Sequence, residues 1–185
     1  SMFFGFGDLG AQPAYYVDYV EFDTSSSVTP PPPPMGGAQI DLPITWDDTA
    51  VNYTTIDFGG NASMLVPDPL NASNMVLQST KTSGAQNWAG TTLGVDSLAT
   101  AIPFTATETK MIAVVYSPDA GATIKLKVED ESNPTISVEV DVLTTVANAW
   151  DTLEFDFANP STGSPINWAN TYDKASIFYD FGNMG

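Results

Sequence analysis

A chain of 185 residues that is 43% hydrophobic and 11% aromatic is long enough to bury one core and short for two domains of ordinary size. Five lysines against 22 acidic residues give a formal charge of −17, with no arginine. That excludes nucleic acid as a partner, because cation–phosphate contacts carry most of that affinity. Histidine and cysteine are also missing, which removes imidazole bases, thiol nucleophiles, disulfides and most zinc or iron sites. No apolar run approaches the ~20 residues of a membrane helix, so membrane insertion is not expected.

The first motif in chain order is FFGFGDLG at residues 3–10, where Gly5, Gly7 and Gly10 match the GxGxxG of a dinucleotide-binding turn. Such a turn must follow a strand and open a helix, so that a pyrophosphate meets the helix N-terminus. Here it is followed by Tyr15 to Phe22, an aromatic and β-branched run of period two that reads as a strand. The octet is echoed at the other end as FYDFGNMG, residues 178–185: Phe3, Phe6, Gly7 and Gly10 return as Phe178, Phe181, Gly182 and Gly185, while Gly5 becomes Asp180. The echo reads as one structural feature met twice in a repeated module, not as a nucleotide site.

Residues 24–39 form a Ser-, Pro- and Gly-rich linker with five consecutive prolines, Pro30 to Pro34, a composition of stiff spacers. Three parts follow: residues 1–23 as a displaced terminal strand of the repeat, the linker, and residues 40–185 as a folded module. By repeat logic the module lacks its last strand and the segment 14–22 fills that place, because an open strand position is prone to pairing. The connection from Asp23 to Pro43 spans at most roughly 70 Å, against about 40 Å across such a domain. Closure within the chain and strand exchange with a neighbouring copy are therefore both open. With no leader at its start, the sequence is expected to come from a larger secreted, extracellular protein of bacterial and saline origin, a setting that suits its acidic, Asn- and Thr-rich composition.

Beyond the linker, short alternating runs predict strands at 44–46, 75–80, 88–95, 111–117, 123–129, 135–142, 152–157 and 175–181, and no segment has a helical period. Turns are predicted at 57–61, 67–69, 117–121, 132–134 and 159–161. Ile124, Leu126 and Val128 alternate with Lys125, Lys127 and Glu129, and Ile136, Val138, Val140 and Val142 with Ser137, Glu139 and Asp141. The two runs make a hairpin with one apolar and one polar face, the unit of an all-β antiparallel sandwich.

LPITWDD (42–48), DFGGNAS (57–63), TKTSGAQNWAGTTLG (80–94), YSPDAGATIKLKVED (116–130), AWDTLEFDF (149–157), YDKASIFYDFG (172–182) and the displaced YYVDYVEF (15–22) together resemble a bacterial module appended to secreted polysaccharide-degrading enzymes and surface proteins. It is similar to carbohydrate-binding modules of the galactose-binding-like jelly-roll type. The resemblance implies a two-sheet β-sandwich whose first and last strands are neighbours, a structural calcium ion and a glycan site of aromatic and polar side chains.

A sugar site needs flat aromatic faces for pyranose rings and polar groups for hydroxyls. Trp88 with Gln86 and Asn87 fits that need, as does Trp168 in the polar loop around Asn167 and Asn170; each can instead be an anchor for its own loop. Trp46 and Trp150 read as packing. Lys125, Lys127 and Glu129 are either a solvated face with cross-strand ion pairs or the floor of a cleft, which Lys81 would join. The resemblance and the oxygen chemistry of calcium point to Asp18, Asp47, Asp48 and Asp57 as its ligands. The implied activity is non-catalytic binding of a neutral polysaccharide, since a chain without arginine and with net charge −17 suits a polyanion poorly. A structural spacer or adhesin repeat is the alternative. A two-carboxylate glycosidase is a remote one, because 22 acids guarantee some close pair. Asn52, Asn61 and Asn71 match the N-glycosylation pattern.

Overall fold

The computed structural model describes residues 13–23 and 37–185; the octet at 3–10 and the proline tract lie outside the described residues. No helix occurs among those described. The strands are β1 (Ala14–Phe22), β2 (Ala38–Gln39), β3 (Val51–Asn52), β4 (Ile56–Phe58), β5 (Asn61–Asp68), β6 (Asn71–Lys81), β7 (Gly90–Thr92), β8 (Lys110–Ser117), β9 (Thr123–Asp130), β10 (Asn133–Leu143), β11 (Ala149–Asp156) and β12 (Lys174–Phe178). Ten of them build two five-stranded antiparallel sheets, β11-β8-β1-β6-β5 and β10-β9-β12-β7-β4, while β2 and β3 form a small parallel ladder. The fold is a β-sandwich.

Period two drives this architecture. Along β8, Met111, Ala113, Val115 and Ser117 are buried and their neighbours half-exposed. On the facing sheet, Ile124, Leu126 and Val128 of β9 and Ala175 and Ile177 of β12 are fully buried. Phe155 and Phe157 close the core at one end and Tyr179 at the other, with Trp46, Leu93, Phe104, Ile166 and Tyr172 supplied by connecting segments.

Strand β1 is central to its sheet. It pairs with β6 through Ala14–Val17 and with β8 through Tyr16–Phe22. Its buried residues are Tyr15, Val17, Val20 and Phe22, a pattern that skips one position between 17 and 20. A β-bulge absorbs the skip: Val17 faces Val115 and Tyr19 faces Val114, leaving Asp18 as the extra residue. Beyond the bulge, β1 leaves β6 and exchanges both backbone hydrogen bonds with Ile44, 3.2 and 2.8 Å from Val20. The segment around Ile44 therefore lies beside β1. Each of the four buried side chains contributes roughly 1.5–3 kcal/mol, a sum comparable to the whole stability of many domains.

Several strand boundaries differ from the sequence expectation. The run at 44–46 is a single bridge at Ile44, and Trp46 turns the chain with φ 63°. The run at 88–95 contracts to β7, and that at 175–181 stops at Phe178 before Asp180, whose φ is 45°. The predicted turn at 57–61 is the end of β4, a tight Gly59-Gly60 reversal and the start of β5. Strand β5 carries Pro67, which a strand can hold where no neighbour needs its missing N–H; β5 is the margin of its sheet.

Candidate functional site

Pairing of β10, β9, β12, β7 and β4 sets their outward residues in rows, since the alternate positions point into the core. One row runs Asp141, Lys125, Phe178, Gly90, Phe58, the next Glu139, Lys127, Ser176, Thr92, Ile56, and a third Ser137, Glu129, Lys174. The outward face of the hairpin thus continues across the whole sheet, polar on β10 and β9 and aromatic toward β4.

This face is not a solvated one. Lys125 is only 3% and Glu129 9% exposed, and Thr92 and Ser176 are buried with their hydroxyls 2.9 Å apart. The Lys125 ammonium lies 2.7 Å from Glu139 and 3.3 Å from Asp141, and sits 4.0 Å from the centre of the Phe181 ring, a cation–π contact. Lys127 pairs with Glu129 at 2.5 Å. Asp141 Oδ1 is buried, with the Lys125 ammonium as its ion-pair partner.

Aromatic rings line the same face from its β4 end. Trp88, 48% exposed, lies nearly parallel to Phe58, with 14° between the planes and 6.3 Å between the centres. Phe58 meets Phe178 edge-on at 5.2 Å and Phe178 meets Phe181 at 5.8 Å. Gly90 makes this contact possible: a Cβ there would fall 2.9 Å from the Phe58 ring and 2.5 Å from the Ile177 carbonyl. The result is a wall of rings leading from the exposed Trp88 to the covered Lys125.

Gly59 fixes Trp88 in place. Its φ is +66°, and a Cβ would lie 2.9 Å from Ala89 Cα and 3.0 Å from Trp88 Cζ3. Gly59→Ala is expected to lower stability by about 1–2 kcal/mol and to displace the indole. Thermal unfolding and tryptophan fluorescence check this; an unshifted emission spectrum would contradict the packing argument.

The other expected binding residues are distributed differently. Gln86 and Asn87 are exposed in the turn before Trp88, held through backbone bonds from Gln86 to Gly59 and from Gly182 to Asn87. Lys81 is buried, and its ammonium donates to the carbonyls of Asp180 and Asn183 at 2.8 and 2.6 Å. Burial lowers its pKa, partly offset by Asp180. Lys81 therefore ties down the C-terminal turn. Trp168 is 55% exposed in the loop that leads into the Lys174 end of β12, away from Trp88 at the Phe178 end. Trp46 is core, tilted on Tyr53. Trp150 is half-exposed on the outer face of the opposite sheet, edge-on to Tyr116, not in the core as the sequence had led us to expect.

The four aspartates expected around calcium separate into groups. Asp18, at the β1 bulge, accepts from the Asn74 amide at 2.6 Å, and Asp47 accepts from the adjacent Met75 N–H at 2.9 Å. The same Asn74 amide nitrogen reaches Asp68 at 3.4 Å. Asp48 caps its own turn through the Ala50 N–H. Asp57 accepts from Thr91, Asn61 and the Ser63 N–H at 2.7, 3.0 and 2.7 Å and serves a different part of the fold. Among the described residues no three His, Cys, Asp or Glu side chains gather as a metal-holding group.

Phe58, Phe178 and Phe181 are the lining residues that sequence reasoning missed. Ile56-Asp57-Phe58 carries a short alternation that the following glycines obscure. No family model, curated protein or solved structure matches the chain.

Proposed function

We propose that the protein is a non-catalytic carbohydrate-binding module that takes a neutral polysaccharide on the outer face of β10-β9-β12-β7-β4 and serves a secreted protein. The observation that carries the reading is the half-exposed Trp88, backed by Phe58, at the end of a face whose far side holds buried, ion-paired polar groups. An indole offers a flat surface for a sugar ring, and the backing ring keeps it from folding away. The Glu139 and Asp141 side chains are 32% and 31% exposed, and in this reading their carboxylates accept from sugar hydroxyls.

Charge favours a neutral ligand. Three of the five lysines, Lys125, Lys127 and Lys174, stand on this face opposite Glu129, Glu139 and Asp141, so the face is locally balanced within a chain of net charge −17. A polyanion would meet that overall field without the arginine forks that usually hold carboxylates and sulfates.

Affinity electrophoresis against soluble glucans, mannans and xylans, with alginate as the anionic control, tests the reading. Retardation on a neutral glycan without release of reducing sugar is expected. Release of sugar would make the protein a glycosidase, and mobility unchanged on every glycan would leave a structural spacer.

Calcium, implied by the resemblance, stays within the proposal, with the carboxylates of Asp18 and Asp47, which accept from the successive residues Asn74 and Met75, as its donors. One or two carboxylates with amide and carbonyl oxygens suit this ion. At 100 times Kd, calcium would add about 2.7 kcal/mol to stability. The expected result is a Tm that rises with millimolar calcium, falls back with chelator and no longer responds in Asp18→Asn. A wild-type Tm indifferent to chelator would remove calcium from the proposal.

A further inference from the structure

We infer that the outer face of the opposite sheet, β11-β8-β1-β6-β5, carries a second glycan-binding strip, on which an extended, uncharged β-linked polysaccharide lies across the strands. The ligand class is that of the reading above, on which this rests; the residues are different.

The strip follows from the register. Trp150 of β11 is paired with Tyr116 of β8, Tyr116 with Tyr16 of β1, Tyr16 with Gln78 of β6, and Gln78 with Met64 of β5. Directly paired residues share a face, so the five side chains form one row across all five strands. Their chain neighbours Val115, Val17 and Leu77 point into the core, which turns the row to solvent. Trp150, Tyr116, Tyr16 and Gln78 are half-exposed and Met64 is 60% exposed. The open face of an antiparallel sheet is ordinarily polar, and a contiguous exposed apolar band on a soluble domain marks a contact surface.

The rings are spaced for a glycan. Trp150 and Tyr116 lie 5.6 Å apart at 73°, Tyr116 and Tyr16 5.6 Å apart at 85°. Tyr116 thus stands across the planes of both neighbours, and Trp150 and Tyr16 flank it two strands apart. Strands lie about 4.8 Å from one another, close to the advance per unit of an extended β-linked glycan. Such units turn over from one to the next, so every second unit offers the same face, and Trp150 and Tyr16 match that two-unit repeat. The Gln78 amide donates to the Tyr16 hydroxyl oxygen at 2.9 Å. This leaves the phenolic proton to donate and Gln78 Oε1 to accept, the pair of functions that one sugar hydroxyl satisfies.

Charge selects among occupants. The next row, Thr152, Val114 and Tyr19, is also uncharged, and charge returns in the row after it with Glu154 and Glu21 on either side of Ile112. A second copy would bring its own charge of −17 against this one, and an anionic lipid surface would meet the same repulsion. A cationic partner would find no carboxylate in either row. A neutral polysaccharide meets none of these penalties. Because the two binding faces lie on opposite sides of the sandwich, a protein with both occupied bridges two polysaccharide chains.

Affinity electrophoresis on soluble xylan, β-glucan and mannan, with Tm measured beside it, tests this in Trp88→Ala, Trp150→Ala and the double variant. Trp88→Ala is expected to keep a weaker retardation, which the double variant loses. Retardation lost entirely in Trp88→Ala overturns the strip and leaves the first face standing. Retardation that survives in the double variant also overturns the strip. Full retardation in Trp88→Ala that disappears in Trp150→Ala upholds the strip and overturns the first face, and an unretarded wild type overturns both. A second measurement needs no substitution: oxidation of the folded wild type by N-bromosuccinimide, located by peptide mass spectrometry. Trp150 should be oxidised readily in the protein alone and slowly beside a retarding glycan. Equal rates with and without glycan overturn the strip, and slow oxidation in both, with a dimer by light scattering, makes the face an interface between copies instead.

Discussion

Asn61→Ala is expected to lower stability by about 3 kcal/mol, because one small side chain joins four strands from both sheets. Asn61 is buried. It donates to Asp57 on β4 at 3.0 Å and Thr91 on β7 at 2.7 Å, and accepts from Ser79 on β6 at 2.9 Å. Thr91 and Ser79 have no exposure, so alanine would leave their hydroxyls short of partners where water does not reach. The same network makes stability depend on acid. Burial opposes ionisation of Asp57, but the hydrogen bonds from Thr91, Ser63 and Asn61 outweigh it and hold the carboxyl below its ordinary value. A depressed folded-state pKa gives stability that is complete above the unfolded-state value, about 3.9, and is lost as pH falls through the lower folded value. Urea titrations at pH 7 and pH 3 should show this loss in the wild type and a smaller one in Asn61→Ala, where Asp57 keeps fewer donors. A variant within about 0.5 kcal/mol of wild type at pH 7 would show that the network is not a structural hub. The burial of Asn61 also bears on its glycosylation pattern: its amide is engaged inside the sandwich, whereas Asn52 and Asn71 are exposed.

Trp88→Ala is expected to weaken polysaccharide affinity by tenfold or more, which corresponds to about 1.4 kcal/mol, while leaving the fold intact because the indole is half in solvent. Trp168→Ala, from the other end of β12, should have the smaller effect. Electrophoretic retardation measured beside the Tm separates loss of binding from loss of structure. Wild-type retardation in a folded Trp88→Ala protein would move the site away from this face.

Much of the sandwich was legible in the sequence because antiparallel sheets that bury one face write period two into the chain. The runs that became β8, β9, β10 and β11 were found that way, with the inward and outward residues of β9 correctly sorted. Strands β4 and β5 were missed for an opposite reason. Asp57, Gly59, Gly60, Asn61 and Pro67 are turn formers by composition, and here the first four straddle a two-glycine reversal while Pro67 is tolerated at a margin. Met64 and Leu65 are both exposed, so β5 lacks the one-sided burial that alternation detects.

The candidate site was legible in its polar half only. Alternation places Lys125, Lys127 and Glu129 on one face, but it cannot tell water from a covering aromatic ring, and Phe181 comes from a turn 56 residues further along the chain than Lys125. Phe178 and Phe181 drew notice as repeat markers, a role that concealed their place on the face. Lys81 was misjudged because a basic residue among polar ones gives no sign that backbone carbonyls from the far end of the chain will claim its ammonium.

The prolines at the margins carry a consequence for self-association. Pro67 on β5 and Pro134 on β10 each stand on an outermost strand, one in each sheet. A foreign strand aligning along either margin meets a position with no amide to offer, which blunts cross-β growth of the amyloid kind. One rim of each sheet is thus guarded against the pairing through which β-proteins commonly polymerise, while the opposite rim β11 holds no proline and presents the acidic Asp151, Glu154 and Asp156 instead.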